Sequence, residues 1–213
     1  MEERLRLAFG ILANAASLML YSSPVLTFIK MIKKRSTGDF SCIPYIVTMM
    51  TCLLWMWYGL PVVSRGLENL SLITIGCIGF TLELSFVSIF FSLASSRARI
   101  QIILTVVPLL LLACGIGAIT TFAFHDHRLR KAFVGSIGDA VCVAMYASPL
   151  VAIRQVVRTK SVEFMPLHLS VFTFLTSFTW MLYGLLSKDL FIAAPNFIGC
   201  PLGIKGNSKL VFE

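Results

Sequence analysis

Long apolar runs separated by short polar breaks dominate the chain. They fall at residues 5–29, 43–63, 70–94, 100–124, 132–157 and 164–186. Each reaches the ~20 residues that a helix needs to cross a bilayer. A seventh run, residues 190–204, is shorter: fifteen residues rising ~1.5 Å each give roughly 22 Å, against about 30 Å of hydrocarbon. Pro201 is expected to shorten its regular helix further, and a polar tail, residues 205–213, follows. The first run has Glu-Glu-Arg ahead of it and small residues near Ala13 and Ser17, as a signal peptide does. Its length, and the return of its closing motif later in the chain, favour a retained helix.

That return is part of a repeat. Tyr21-Ser22-Ser23-Pro24 comes back as Tyr146-Ala147-Ser148-Pro149, and Trp55-Met56-Trp57-Tyr58-Gly59-Leu60 as Trp180-Met181-Leu182-Tyr183-Gly184-Leu185. The same 125 residues separate Tyr21 from Tyr146, Trp55 from Trp180 and Gly59 from Gly184. Between these motifs, basic stretches lead to Phe40-Ser41-Cys42-Ile43-Pro44 and to Glu163-Phe164-Met165-Pro166. The predicted fold is an all-α membrane protein of two parallel three-helix bundles, residues 5–94 and 132–204, joined by a linker helix at 100–124. The linker has no counterpart motif. A three-helix unit repeated directly would insert upside down, and one extra crossing restores its orientation. Two like bundles about a pseudo-two-fold axis are a transporter design.

Composition agrees, with 57% hydrophobic and 13% charged residues, where soluble domains have about 45–50% and about 25%. Of the basic residues, Lys30, Lys33, Lys34, Arg35, Arg97, Arg99, Arg154, Arg158, Lys160, Lys205 and Lys209 fall on one side of the seven-span arrangement. Arg4, Arg6, Arg65, Arg128, Arg130, Lys131 and Lys188 fall on the other. Eleven against seven places the first side in the cytoplasm and the amino terminus outside; Arg128, Arg130 and Lys131 run against the bias. The formal charge of +8 therefore belongs to membrane topology and not to nucleic-acid binding, and residues 30–35 can touch anionic lipid. The six cysteines are scattered without a CxxC pair and read as small buried hydrophobes. His125, His127 and His168 form no ligand set, and His125 and His127 read as solvated loop residues. No catalytic grouping, phosphate loop, metal site or cofactor motif is present, so the chain is not expected to be an enzyme.

The combination of Tyr-Ser-Ser-Pro, Lys-Lys-Arg-Ser-Thr, Trp-Tyr-Gly-Leu-Pro, Met-Tyr-Ala-Ser-Pro-Leu, Thr-Lys-Ser-Val-Glu-Phe-Met-Pro and Pro-Asn-Phe-Ile-Gly-Cys resembles the plant-type SWEET family of sugar transporters. The resemblance implies facilitated sugar transport without a cofactor, self-association and a plasma-membrane location, with an internal membrane as the alternative. It implies that Pro24, Pro44, Pro149 and Pro166 are hinges, each removing one backbone hydrogen bond and softening its helix. Trp55 and Trp180 are the implied substrate-binding rings, because a pyranose packs its C–H face on an aromatic surface; Trp57 reads as an interfacial anchor. Asn196 offers two donors and an acceptor oxygen to a sugar diol. Its usual partner asparagine is replaced here by Gly76, so half of an amide clamp is missing, with Thr74 or a water as the substitute. Leu20 and Met145, bulky residues four positions before Pro24 and Pro149, line the same cavity and favour a monosaccharide such as glucose.

Tyr58 and Asp189 are the implied outer gate, a phenol–carboxylate pair; Asp189 alternatively caps the last helix. Gly59 and Gly184 permit close helix contact nearby. Glu83 and Asp139 are ionisable groups within apolar runs. Glu83 reads as a buried carboxyl hydrogen-bonded between helices, Asp139 has no assigned role, and uniport is favoured over symport. Family members continue apolar after the Gly-Cys motif where this chain turns polar at Lys205, so the seventh helix is expected to be truncated. The alternative function is then a non-transporting subunit that assembles with full-length relatives.

Overall fold

The computed structural model describes residues 2–38, 40–159 and 167–208, and of these the side chains of 2–38, 40–145 and 170–201. Helices make up the fold, with no strand among the described residues. In order they are α1 (Glu2–Ser22), α2 (Val25–Lys34), α3 (Ile43–Gly59), α4 (Leu70–Leu93), α5 (Ser96–Phe122), α6 (His127–Thr159), α7 (Leu167–Leu186) and α8 (Leu190–Ser208). The first two are halves of one apolar span, Glu2–Lys34, broken at Pro24, so eight elements make seven spans in a three, one, three order. Glu2–Lys34, α4 and α5 are long and apolar enough to cross a membrane; α4, with 24 residues, is about 36 Å long.

Local chemistry sets the helix ends. Pro24 lacks the N–H that would continue α1, and its own carbonyl accepts from Phe28 N to start α2. Arg35, in the left-handed region at φ 49°, closes α2. Pro44 lies in the first turn of α3, where a missing N–H costs nothing, so it opens that helix and does not bend it. Pro149, by contrast, lies within the continuous helix α6. Ser95 caps α5 by accepting from Ala98 N at 3.4 Å.

The seventh span differs from expectation. α8 passes through Pro195 and Pro201 and ends at Ser208, giving 19 residues, or about 28 Å. A proline deletes one hydrogen bond, and the packing of α8 along α7 keeps the helix going past both. Residues 209–213 of the polar tail, and Pro166, lie outside the described residues.

The chain packs as two compact units, one of residues 21–134 and one of residues 1–20 with 135–213. In the first, α3 packs against α4 and α5, and α2 against α4. Its core joins Phe28, Met31, Cys42, Ile46, Phe86, Val87, Phe90, Ala94 and Ile102, with Phe28 stacked on Phe86 at 4.6 Å. In the other, α7 packs on α8 so closely that a Cβ on Gly184 would fall 2.6 Å from Ala193 N.

Candidate functional site

Each repeat builds the same aromatic pair. Trp55 meets Tyr58 edge-on at 5.4 Å and 67°, and Trp180 meets Tyr183 edge-on at 5.3 Å and 84°. The spacing of three along a helix puts both rings on one face, and the T-shaped contact suits their quadrupoles. Trp180 is buried, and its Nε1–H donates to Ser17 Oγ of α1 at 2.9 Å, inside the unit of residues 1–20 and 135–213. The sequence alone does not single out Ser17 as a partner. Its repeat equivalent, 125 residues on, is Cys142, a weaker hydrogen-bonding group.

Asn196 is half-buried in α8, one residue after Pro195, and its Nδ2 donates to Ile192 O at 2.7 Å. One donor is thus held by its own helix, leaving the carbonyl oxygen and the second N–H for a diol. Leu20 and Met145 are half-buried. Gly76 faces a helix: a Cβ there would lie 2.8 Å from Met56 Cβ and 3.1 Å from Cys52 O. The place of the second asparagine is occupied by the closer approach of α3. Thr74 is exposed and donates to Ser71 O of its own helix at 3.0 Å.

Tyr58 is almost fully buried at the end of α3, and Lys131 Nζ lies 5.9 Å from its ring centroid. Asp189, also buried, occupies the position before Leu190, the first residue of α8. The turn leading to it is tight, with Lys188 at φ 53° and Asp189 N donating to Gly184 O at 2.9 Å. Trp57, half-buried near the end of α3, lies against the linker helix. Its ring faces Gly117 of α5, where a Cβ would lie 3.8 Å from Cζ2, and its buried Nε1 has no partner. The linker helix covers that face of α3.

Two ionisable groups stand apart from the rings. Glu83 is 3% exposed, and its Oε2 has no hydrogen-bond partner. It lies one turn before Phe86 and Val87 of the core; it is buried as expected, but the expected hydrogen bond between helices is not made at Oε2. Asp139 Oδ1 is likewise buried and unpartnered. Asp139 stands 125 residues after Asn14, so a polar residue recurs at that place in both repeats. His127, Arg130 and Lys131 all contact groups in residues 62–68 or the end of α5. A count of charges cannot reveal those contacts, and the departure of Arg130 and Lys131 from the charge bias is their trace in the sequence. Among the described residues no group of three or more His, Cys, Asp or Glu could hold a metal ion.

Known proteins agree with this geometry. The chain matches the family model described as a sugar efflux transporter for intercellular exchange over residues 7–98 and 132–205. It is 53% identical over 200 residues to the bidirectional sugar transporter SWEET3b of Oryza sativa subsp. japonica, covering 94% of this chain and 79% of that one. To the bidirectional sugar transporter SWEET3 of Arabidopsis thaliana it is 50% identical over 207 residues, covering 96% and 78%. The 3.7 Å structure of a eukaryotic SWEET transporter superimposes with a TM-score of 0.93 at 36% identity, over 99% of this chain and 97% of that one. With the paired Trp–Tyr contacts, the seven-span order and these matches together, the chain belongs to the SWEET family of sugar transporters.

Proposed function

We propose that the chain moves monosaccharides such as glucose across a membrane in both directions, down their gradient, by alternating access. The observation that carries this reading is the extent of identity with relatives named bidirectional sugar transporters, 53% over 94% of this chain. The geometry supports it. Trp55 and Trp180 each supply an aromatic face for a pyranose, and Asn196 keeps an oxygen and an N–H for its hydroxyls. Leu20 and Met145, both half-buried, are the bulky residues that in this reading restrict the substrate to a single ring. Uniport is the reading in which neither buried carboxyl, Glu83 one turn before the core residues Phe86 and Val87 nor Asp139, couples transport to a proton.

In this reading Pro24, Pro44, Pro149 and Pro166 are the hinges, with Pro44 at the start of α3, and Tyr58 and Asp189 close the outer side. The break between α1 and α2 at Pro24 supports the first of these. The amino terminus is outside, the membrane is the plasma membrane, and protomers associate with one another or with related transporters. The test is glucose counterflow into proteoliposomes holding only this chain, beside Trp180→Ala. Exchange that disappears in the variant supports the reading. No exchange from folded protein overturns it in favour of a subunit that functions only beside related transporters.

A further inference from the structure

The polar residues heading α6 fit neither the apolar pattern of the spans nor the charge bias. Arg130 directs its guanidinium at three carbonyls: Nη1 to Val62 O at 2.8 Å, Nε to Phe124 O at 2.8 Å and Nη2 to Thr121 O at 3.3 Å. His127 Nδ1 meets Val63 O at 3.2 Å. Lys131 Nζ is 2.6 Å from Glu68 Oε1, which also accepts from Arg65 N at 3.1 Å. Residues 60–69, which these groups hold, are braced from within. Ser64 Oγ donates to Tyr58 O at 2.7 Å and accepts from Asn69 Nδ2 at 3.0 Å, both side chains being buried. All of this lies in the unit of residues 21–134, to which α6 contributes only its head.

We propose that Lys131 is a positioning residue for transport: anchored by Glu68, its ammonium holds the ring of Tyr58 and, through it, Trp55. A cation facing an aromatic ring is attracted by the ring quadrupole, more strongly where water is partly excluded. The Lys131 and Glu68 side chains are 25% and 32% exposed, so the cation is partly desolvated. Tyr58 in turn sets the edge contact with Trp55 at 5.4 Å. Arg130, spread over three backbone carbonyls of two segments, fixes where the head of α6 sits, and so where Lys131 reaches. The inference rests on the transport reading above, with Tyr58 as gate and Trp55 as sugar ring.

The experiment uses the full chain in proteoliposomes and measures the half-saturation for glucose separately on the membrane face carrying residues 60–69 and on the opposite face. Lys131→Gln is expected to raise half-saturation on the loop-bearing face by about fivefold, the ratio expected for one cation–ring contact. The opposite face should be unchanged. Lys131→Arg is expected to restore most of the difference, whereas the charge swap Glu68→Lys with Lys131→Glu, which keeps an ion pair but sets a carboxylate at the ring, is expected to leave it unrestored. High salt on the loop-bearing face alone should move wild type toward the Lys131→Gln value, because a partly exposed ion pair is screened. Arg6→Gln, at the repeat-equivalent position, should leave both faces as in wild type. Equal losses on the two faces, with a lowered melting temperature, would mean a purely structural role and overturn the proposal, as would an unaltered Lys131→Gln protein. A wild-type protein that moves no sugar defeats the transport reading itself, a result distinct from active wild type with an indifferent Lys131.

Discussion

In the first repeat Trp55 packs edge-on against Tyr58, and the Tyr58 ring faces Lys131. In the second, Trp180 makes the same contact with Tyr183 but ties its indole N–H to Ser17. The internal geometry is conserved between the copies, while the tether differs in chemistry. Its origin follows one rule in both. Ser17 lies on α1, the opening helix of the first repeat, and holds a ring of the second. Lys131 lies on α6, the opening helix of the second, and faces a ring of the first. Each opening helix thus leaves part of its length in the unit built mainly by the other repeat. The repeats in sequence and the bodies in space are different divisions of the chain, and each paired ring is held by a residue of the other repeat.

The symmetry between the copies breaks most forcefully at the paired glycines. At Gly184 a Cβ meets backbone, Ala193 N at 2.6 Å, whereas at Gly59 the fit is looser, with Ile73 Cγ1 at 2.9 Å and the nearest backbone atom, Asn69 O, at 3.1 Å. Gly184→Ala is therefore expected to cost about 3 kcal/mol and Gly59→Ala about 1 kcal/mol, read as a larger fall in melting temperature for the former. Equal falls would mean that the two repeats close their outer turns alike.

Gly76 comes next. Since α3 already occupies the space, Gly76→Ala and Gly76→Asn should each destabilise by about 1–2 kcal/mol, and neither should tighten glucose binding in equilibrium titration. Tighter binding by Gly76→Asn would show that only a ligand was missing there.

A smaller effect is expected at the tether of Trp180. Trp180→Phe keeps an aromatic face and drops the donor, and Ser17→Ala drops the acceptor. Each should weaken glucose half-saturation by about fivefold, the ~1 kcal/mol of a buried hydrogen bond. In a double-mutant cycle the two should be strongly non-additive; additive losses would deny that the bond matters. Cys142→Ser, which gives the second repeat the hydroxyl of the first, should shift the melting temperature least, within about 0.5 kcal/mol.

Much of this is legible in the order of residues. The apolar runs locate the spans to within a few residues, because a helix in lipid must carry an unbroken apolar length. The 125-residue register finds both Trp–Tyr pairs and the glycines beside them. Sequence and structure part where one residue type has several physical uses. Pro44 reads as a bend in a helix and instead begins one, and Pro201 reads as the shortening of a helix that runs on to Ser208. Gly76 looks like a lost ligand and is a contact between helices.

The boundary between the two kinds of knowledge follows from range. Hydropathy and helical period are properties of neighbouring residues, so the chain alone dictated its class, its spans and its repeat. Nothing local tells Trp180 that its partner lies 163 residues away at Ser17, or Lys131 that Glu68 awaits it. Those choices belong to helix packing, which decides which faces meet once each span has formed. Packing also decided that the opening helices divide between units, and so which cation and which hydroxyl hold the rings.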